Sequence, residues 1–374
     1  MSLSLREVRT PKDEKNFLYL PEKLHKNHHN WVPPIYSDEK RVFDPKRNRA
    51  FAYCDFVRVL AEKDGEVVGR ISAVVNRRYN EEWKCKVVRF GYLECPDDPE
   101  IAKTLLGFAE EWGKQRGMEK IVGPNGFTEE DPQGFQVEGF ENIPNLATYC
   151  NWPYIPPLLE SIGYAKEVDY VVYKVDLANA ITDFYKWAYD RVSRNKQYTL
   201  MEFTRRKEIK PHIHAIFHLM NDSFQELYGY STLDEQEMDQ LAKRYLPVID
   251  PRFIKAVRTQ EGEIVGFVVG IPSIAEGIRA ARGRLWPIGF LKILRASKRS
   301  RKLDVYLGGI KTEHRGKGLD VLMGYRMLEC ARSAGFEYLD SHHELETNVK
   351  MRAEMEKAGG KVYKRFRIYH KMLK

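Results

Sequence analysis

The chain has 374 residues, 43% hydrophobic and 30% charged, which suits a soluble globular protein of one large or two ordinary domains. Its 61 Lys and Arg against 53 Asp and Glu leave a formal charge of +8, too little to specify an anionic partner unless it is concentrated in one place. No uncharged apolar run approaches the roughly 18 residues of a membrane span, and the charged start MSLSLREVRTPKDEK is unlike a signal peptide. The five cysteines, Cys54, Cys85, Cys95, Cys150 and Cys330, form no CxxC pair, so a cytoplasmic protein with reduced thiols and no metal site is expected.

In chain order, the first strong signal is DGEVVGRISAVV, Asp64 to Val75, an acidic-Gly turn between β-branched runs that reads as a hairpin. Ile101, Leu105, Leu106, Ala109 and Trp112 then put one apolar stripe on a helix that ends at Gly117. The Gly/Pro-rich segment from Pro124 to Pro157 reads as loops and short irregular pieces. Its aromatics Phe127, Phe135, Phe140, Tyr149, Trp152 and Tyr154 either reach a ligand cleft or form a satellite core. A strand in ESIGYAKEVDYVVYKV, Glu160 to Val175, and a helical stretch from Ala178 to Asn195 follow.

The same series then returns. EGEIVGFVVGIP, Glu261 to Pro272, repeats the hairpin at an offset of 197, and EKAGGKVYKRFRIYHK, Glu356 to Lys371, repeats the late strand at an offset of 196. The second amphipathic helix, with Leu319, Leu322, Met323, Met327, Cys330 and Ala331 before Gly335, lies 218 residues after the first. The second half therefore has an insertion of about 21 residues before its helix, Gly277 to Lys302, again read as irregular, and the first half compensates after its own. Two homologous α/β halves are expected, residues 1–177 and 196–374, joined by a linker helix over 178–195. The alternative is one large α/β domain whose strand-turn-strand elements look alike.

The residues that carry chemistry lie in the second half. The strand Lys302 to Thr312 runs into Arg315-Gly316-Lys317-Gly318 at the start of the second amphipathic helix. Gly lets backbone N–H groups approach phosphate oxygens, the helix N-terminus adds positive potential, and Arg315 and Lys317 add counter-charge. With the following Leu319 and Asp320, this loop resembles the pyrophosphate loop of the GNAT acyl-CoA transferase superfamily, [RQ]-x-x-G-x-[GA], except that Asp320 replaces the small residue. The later helix resembles the superfamily's N-x-x-A-x-x-x-Y-x-K-x-G-F segment at Asn348, Lys357 and Gly359, with Met355 in place of the usual Tyr.

The resemblance implies two tandem GNAT-like mixed-sheet domains, with acetyl-CoA or a longer acyl-CoA as co-substrate and a small-molecule amine or amino-acid-like acceptor. It implies that the strand offers Leu307, Gly309 and Ile310 to the pantetheine arm, that Arg315, Gly316, Lys317, Gly318 and Leu319 hold the pyrophosphate, and that Asn348 lies along the CoA arm. Binding there requires Asp320 to face away from the phosphates. Glu344 and Glu346 are candidate bases by location. Because a thioether donates no proton, His342, His343, Tyr363 or Tyr369 would replace the missing Tyr as acid. A backbone N–H of the splayed strand would meet the oxyanion, with a bulge at Gly308-Gly309. In the first half the loop position reads Pro96-Asp97-Asp98-Pro99-Glu100, whose charge has the wrong sign for a pyrophosphate.

The insertion Gly277 to Lys302 carries nine Lys and Arg and no acid around LWPIGFLKIL. A solvated loop, contact with an anionic membrane, and nucleic-acid binding compete there, the last disfavoured because no aromatic-interleaved platform accompanies the charge. An N-acyltransferase attacking the thioester directly is the leading expectation. A non-catalytic acyl-CoA or ligand binder, or a membrane-surface or nucleic-acid binder acting through the insertion, are the alternatives.

Overall fold

The computed structural model describes residues 3–128, 131–145, 148–246 and 249–374; the positions 129–130 and 146–147 of the Gly/Pro-rich segment lie outside them. The first half runs β1 (Leu3–Glu7), α1 (Pro11–Leu24), α2 (Tyr36–Val42), β2 (Cys54–Lys63), β3 (Glu66–Asn76), α3 (Arg77–Glu82), β4 (Val87–Glu94), α4 (Pro99–Lys114), β5 (Lys120–Gly123), β6 (Phe135–Glu138), α5 (Ile155–Ser161) and β7 (Ala165–Asp176). After α6 (Asp183–Ser193) come β8 (Tyr198–Glu202), α7 (Arg206–Ile209), α8 (Ile213–Phe224), α9 (Glu235–Tyr245), β9 (Ile254–Thr259) and β10 (Ile264–Pro272). The chain ends with α10 (Ala275–Ala281), α11 (Gly289–Arg299), β11 (Lys302–Ile310), α12 (Leu319–Ser333), β12 (Tyr338–Asp340), β13 (Glu344–Leu345), α13 (Val349–Lys357) and β14 (Lys361–Met372).

The repeated elements form where the pattern puts them. The β2–β3 turn holds Asp64 and Gly65 at φ 52° and 83°, as a tight hairpin turn of matching twist requires, and β9–β10 turns through Gly262 at φ 93°. α4 buries Ile101, Leu105, Leu106, Ala109 and Trp112, and α12 buries Leu319, Leu322, Met323, Met327 and Ala331. Each fully buried large apolar side chain contributes about 1.5–3 kcal/mol. The late strands β7 and β14 are equivalent, both 12 residues long.

Two compact units result, and they do not follow the halves of the sequence. The first comprises the chain up to Tyr170 with Ile274–Ala296 and Lys364–Lys374; the second comprises Val171–Ser273 and Ser297–Tyr363. In the first, the sheet order is β1-β2-β3-β4-β5-β14, with Tyr369 opposite Gly123 and Met372 opposite Lys120. In the second it is β7-β12-β11-β10-β9-β8, with Tyr338 opposite Asp176. Each unit is thus completed by the other half's last strand, because those strands satisfy the backbone edges of β5 and β12. The stretch 178–195 falls within the second unit, where Tyr189 of α6 stacks on Tyr325 of α12 at 4.2 Å.

Both insertions are more ordered than their composition predicts. Gly277 to Lys302 contains α10 and α11, and a Cβ at Gly277 would stand 2.6 Å from the Ile293 Cα, so glycine here permits close helix packing. In the Gly/Pro-rich segment, Phe135 and Tyr149 enter the first unit's core with Trp152 and Tyr154 packed against it, and Phe127 joins a neighbouring cluster. These five aromatics build core, and Phe140 remains half-buried.

Candidate active site

The second unit opens where β11 leaves β12. These strands pair in parallel at three positions only, Lys302 with Tyr338, Leu303 with Leu339 and Asp304 with Asp340. Among the described residues, β11 continues to Ile310 while paired with β10 alone, so no strand pairs with its other backbone edge there. Leu307 and Gly308 on this stretch are exposed, and Gly309 and Ile310 are half-buried. The register against β10 shifts between Val269 and Gly270, opposite Leu307 and Val305. The extra residue is therefore Tyr306, and not the Gly308-Gly309 pair of the sequence expectation.

The residue inserted by that shift carries an unsatisfied group. The Tyr306 hydroxyl is buried without a hydrogen-bond partner. Burial, then the carboxylates Asp304 and Asp340, hold this phenol far above its ordinary pKa, so it stays protonated. Its ring lies 4.6 Å from that of His342, which is 5.0 Å from His343, and His342 has a left-handed backbone (φ 59°). The Ser223 hydroxyl of α8 is likewise buried and unpartnered, and a Cβ at Gly309 would stand 3.0 Å from it. Tyr306 and Ser223 were missed in the sequence because strand register and helix docking alone make them unsatisfied.

The four candidate catalytic residues separate clearly. Glu344, at the start of β13, has its carboxyl pushed up to about 8 by burial. Glu346 is tied into α13, where its carbonyl accepts from Arg352. His342 donates its backbone N–H to Asp340 at 2.9 Å. Tyr363 donates its hydroxyl to Asp340 and so belongs to the buried network in which Lys302 pairs with Asp304 (2.9 Å) and Asp340 (3.7 Å). That hydroxyl is committed to Asp340. Tyr369 belongs to the first unit, bonded to Glu160 at 3.1 Å. Met355 packs against the second unit's core.

At the end of β11, Gly316 and Gly318 hold φ of 75° and 81° in the loop before α12. The N-cap residue is Gly318, which has no side chain to cap this helix, and among the described residues no side-chain bond to its first N–H groups is seen. A Cβ at Gly318 would meet Val192 at 2.5 Å, whereas one at Gly316 would meet nothing within 4 Å. Arg315 donates from Nε to the Ile310 carbonyl at 3.0 Å, and the loop is anchored by His314 Nδ1 to the Tyr198 hydroxyl at 2.8 Å. Among the described residues, neither Arg315 nor Lys317 pairs with a carboxylate, and both are exposed. Leu319 anchors the helix in the core. Asp320 is engaged by Glu354 of α13, whose carboxyl is raised by burial and by Asp320 although Lys357 opposes this at 2.7 Å. Asn348 caps α13 by accepting from the Met351 N–H.

The equivalent region of the first unit is closed. Asp98 caps α4 by accepting from Glu100 and Ile101 and pairs with Lys63 at 3.2 Å. β4 and β5 also pair at only three positions, but the N–H of Tyr92 beyond them donates to the Tyr149 hydroxyl at 2.8 Å. Behind it lies a polar cluster that the sequence reading overlooked. His25 Nε2 lies 3.0 Å from Glu94, and His25 Nδ1 lies 2.9 Å from His28 Nδ1. Burial, then His25, lowers His28 to about 4, while burial, opposed by Arg70, raises the Glu39 carboxyl to about 7. Glu39, Arg70 and Asn125 each keep one buried polar atom without a hydrogen-bond partner.

Comparison with known proteins places this arrangement. A bacterial ceramide synthase from Caulobacter vibrioides (strain NA1000 / CB15N) is 30% identical over 379 residues, covering 99% of this chain and 98% of the relative. The chain belongs to the family of that synthase. Protein YghO of Escherichia coli (strain K12) is 27% identical over 96% of this chain and 93% of its own length. No family model matches. Among solved structures, a tandem GNAT protein from the clavulanic acid biosynthesis pathway has a TM-score of 0.57 at 13% identity, covering 100% of this chain and 99% of that one. A GCN5-related N-acetyltransferase from Sphaerobacter thermophilus has a TM-score of 0.54 at 14% identity, covering 100% and 96%. The fold of this family member is therefore the tandem GNAT-like acyltransferase fold.

Proposed function

We propose that this protein is an acyl-CoA-dependent N-acyltransferase whose acceptor is a long-chain amino alcohol and whose product is a ceramide-like amide. The observation that carries the reading is the second unit's free β11 edge, which leads into an uncapped helix start flanked by Arg315 and Lys317. The acceptor class follows the name of the Caulobacter relative, since a ceramide is the amide of a fatty acid with a long-chain amino alcohol. The residues fit the co-substrate: Gly316 leaves open space, the first α12 amides lack a cap, and Asp320 is engaged by Glu354.

When bound, acyl-CoA supplies an acyl carbonyl already activated for attack. Arg315 and Lys317 hold its pyrophosphate, and the β11 edge offers N–H groups to the pantetheine arm and the carbonyl oxygen. Glu344 takes the proton from the acceptor ammonium, a task suited to a carboxyl near 8. The unpartnered Tyr306 hydroxyl donates a hydrogen bond to the departing sulfur, and the second proton that the nitrogen sheds on becoming an amide ends on the thiol. Following free thiol release with acyl-CoAs of rising length and a panel of amines tests this. Release that depends on long-chain amino alcohols is expected, whereas release with no acceptor preference contradicts the acceptor class. Acyl-CoA binding with no turnover on any amine favours the non-catalytic binder, the reading to which Met355 in the core lends support.

A further inference from the structure

α10 and α11 as far as Ala296 belong to the first unit, whose contacts cover part of the hairpin. The Arg279 guanidinium donates to the His29 carbonyl, the Tyr36 N–H donates to the Gly283 carbonyl at 3.1 Å, and Arg284 pairs with Glu22 at 2.7 Å. α11 rests on α10 through Gly289, Ile293 and Ala296, of which Gly289 is buried and the other two half-buried. At about 100° per residue, Phe290, Leu294 and Leu291 then share one outward arc of about 100°, and all three are exposed, Leu291 at 54% and Leu294 at 53%. The preceding loop extends this surface with Trp286, 78% exposed, and Ile288, 57% exposed. Five large apolar side chains clustered in nine residues leave an apolar patch that a monomer in water rarely keeps uncovered.

The charges beside it are distinctive. Of the nine cations counted in the sequence, Arg279 and Lys292 donate to backbone carbonyls, and Arg284, Arg301 and Lys302 pair with carboxylates. Arg282, Lys292, Arg295, Lys298 and Arg299 are exposed, and among the described residues none pairs with a carboxylate. Four of these lie on α11: Arg295, Arg299 and Lys292 flank the apolar arc at about 140–200° from Phe290, and Lys298 lies within it, one turn beyond Leu294. At 11 residues α11 is about half the length a span needs, and no helix among the described residues is long and apolar enough to cross a membrane.

We propose that α11 and its preceding loop seat this protein on an anionic lipid bilayer, lying along the interface. Trp286, Leu291 and Leu294 enter the boundary between headgroups and acyl chains, and Arg295, Lys298 and Arg299 meet lipid phosphates. The inference rests on an apolar arc and a cationic arc on one helix, and it stands whether or not the acyl-transfer reading holds.

Co-sedimentation of the full chain with vesicles tests it, with no acyl-CoA present, so that the two readings fail separately. Phosphatidylcholine vesicles with about 30 mol% phosphatidylglycerol should capture the protein strongly and phosphatidylcholine alone weakly, since each surface cation is worth about a fivefold gain in partition. Trp286→Ser with Leu291→Ser and Leu294→Ser should reduce capture at least about tenfold, and Arg295→Gln with Lys298→Gln and Arg299→Gln should bring it to the neutral-vesicle level. These side chains are exposed, so both variants should keep the wild-type melting temperature, which separates lost docking from lost folding. Equal capture by both vesicle types, or full capture of the apolar-face variant, overturns the proposal. Duplex DNA bound as tightly as vesicles, and unaffected by the apolar changes, would assign the charge to nucleic acid instead and overturn it as well.

Discussion

One fold is used twice in this chain, and the two copies differ at the same two points. At the start of the helix after the splayed strand, the first unit has Asp98 bonded to its own backbone amides and to Lys63, while the second has Gly318 and leaves its amides uncapped. Along the splayed strand, the first unit occupies the Tyr92 N–H with the Tyr149 hydroxyl, while the second leaves the β11 edge free and Tyr306 unpartnered. A cap and a tyrosine are enough to satisfy in one unit the backbone groups that the other leaves open. The lesson concerns stability as much as function, because the open unit forgoes bonds that the closed unit makes.

The largest effect should come from Glu344, the proposed base of the open unit. Glu344→Gln should lower kcat by about a hundredfold or more, and wild-type activity should rise with pH through about 8, an inflection the variant lacks. The stability sign is opposite. A carboxyl raised by folding favours the protonated native state, so its contribution is complete below its ordinary value and is lost as pH rises through about 8. Above pH 8 the variant should therefore melt higher than the wild type. Next, Arg315→Ala with Lys317→Ala should weaken acyl-CoA binding about a hundredfold by calorimetry, because two charge-assisted contacts are removed. Gly318→Ala forces a left-handed backbone and meets Val192, so binding should fall about tenfold with a stability loss of about 1–3 kcal/mol by denaturant titration.

Changes in the closed unit should act on stability alone. Tyr149→Phe leaves a buried amide unpaired and should cost about 1–2 kcal/mol. Asp98→Ala removes a cap and should cost about 1 kcal/mol. Neither should alter acyl-CoA affinity, and a change in affinity from either would erase the distinction between the units.

What the sequence reveals is local. The hairpin turns at Asp64-Gly65 and Gly262, the helix stripes and the Arg315–Gly318 loop are written in adjacent residues, so the repeat and the Gly-containing loop before α12 are legible. The strand exchange is not, because β7 and β14 share one pattern and nothing local says which of β5 or β12 each will pair. α11 was hidden by Gly289 and Pro287, which read as loop punctuation although Gly289 serves close packing. The His25–Glu94 pair joins residues 69 apart, and Tyr306 becomes an unsatisfied group only through a one-residue shift in register. Tyr363 shows the converse: its residue type suits an acid, but its hydroxyl is bound to Asp340.

The central claim is that one unit binds acyl-CoA and the other has closed the equivalent groove. Calorimetric titration of the full-length protein with acyl-CoAs from acetyl upward tests it directly through the stoichiometry. The account predicts one site per chain, removed by the Arg315 and Lys317 changes and untouched by Asp98→Ala. Two equivalent sites, or a single site that survives the loss of Arg315 and Lys317, would contradict it.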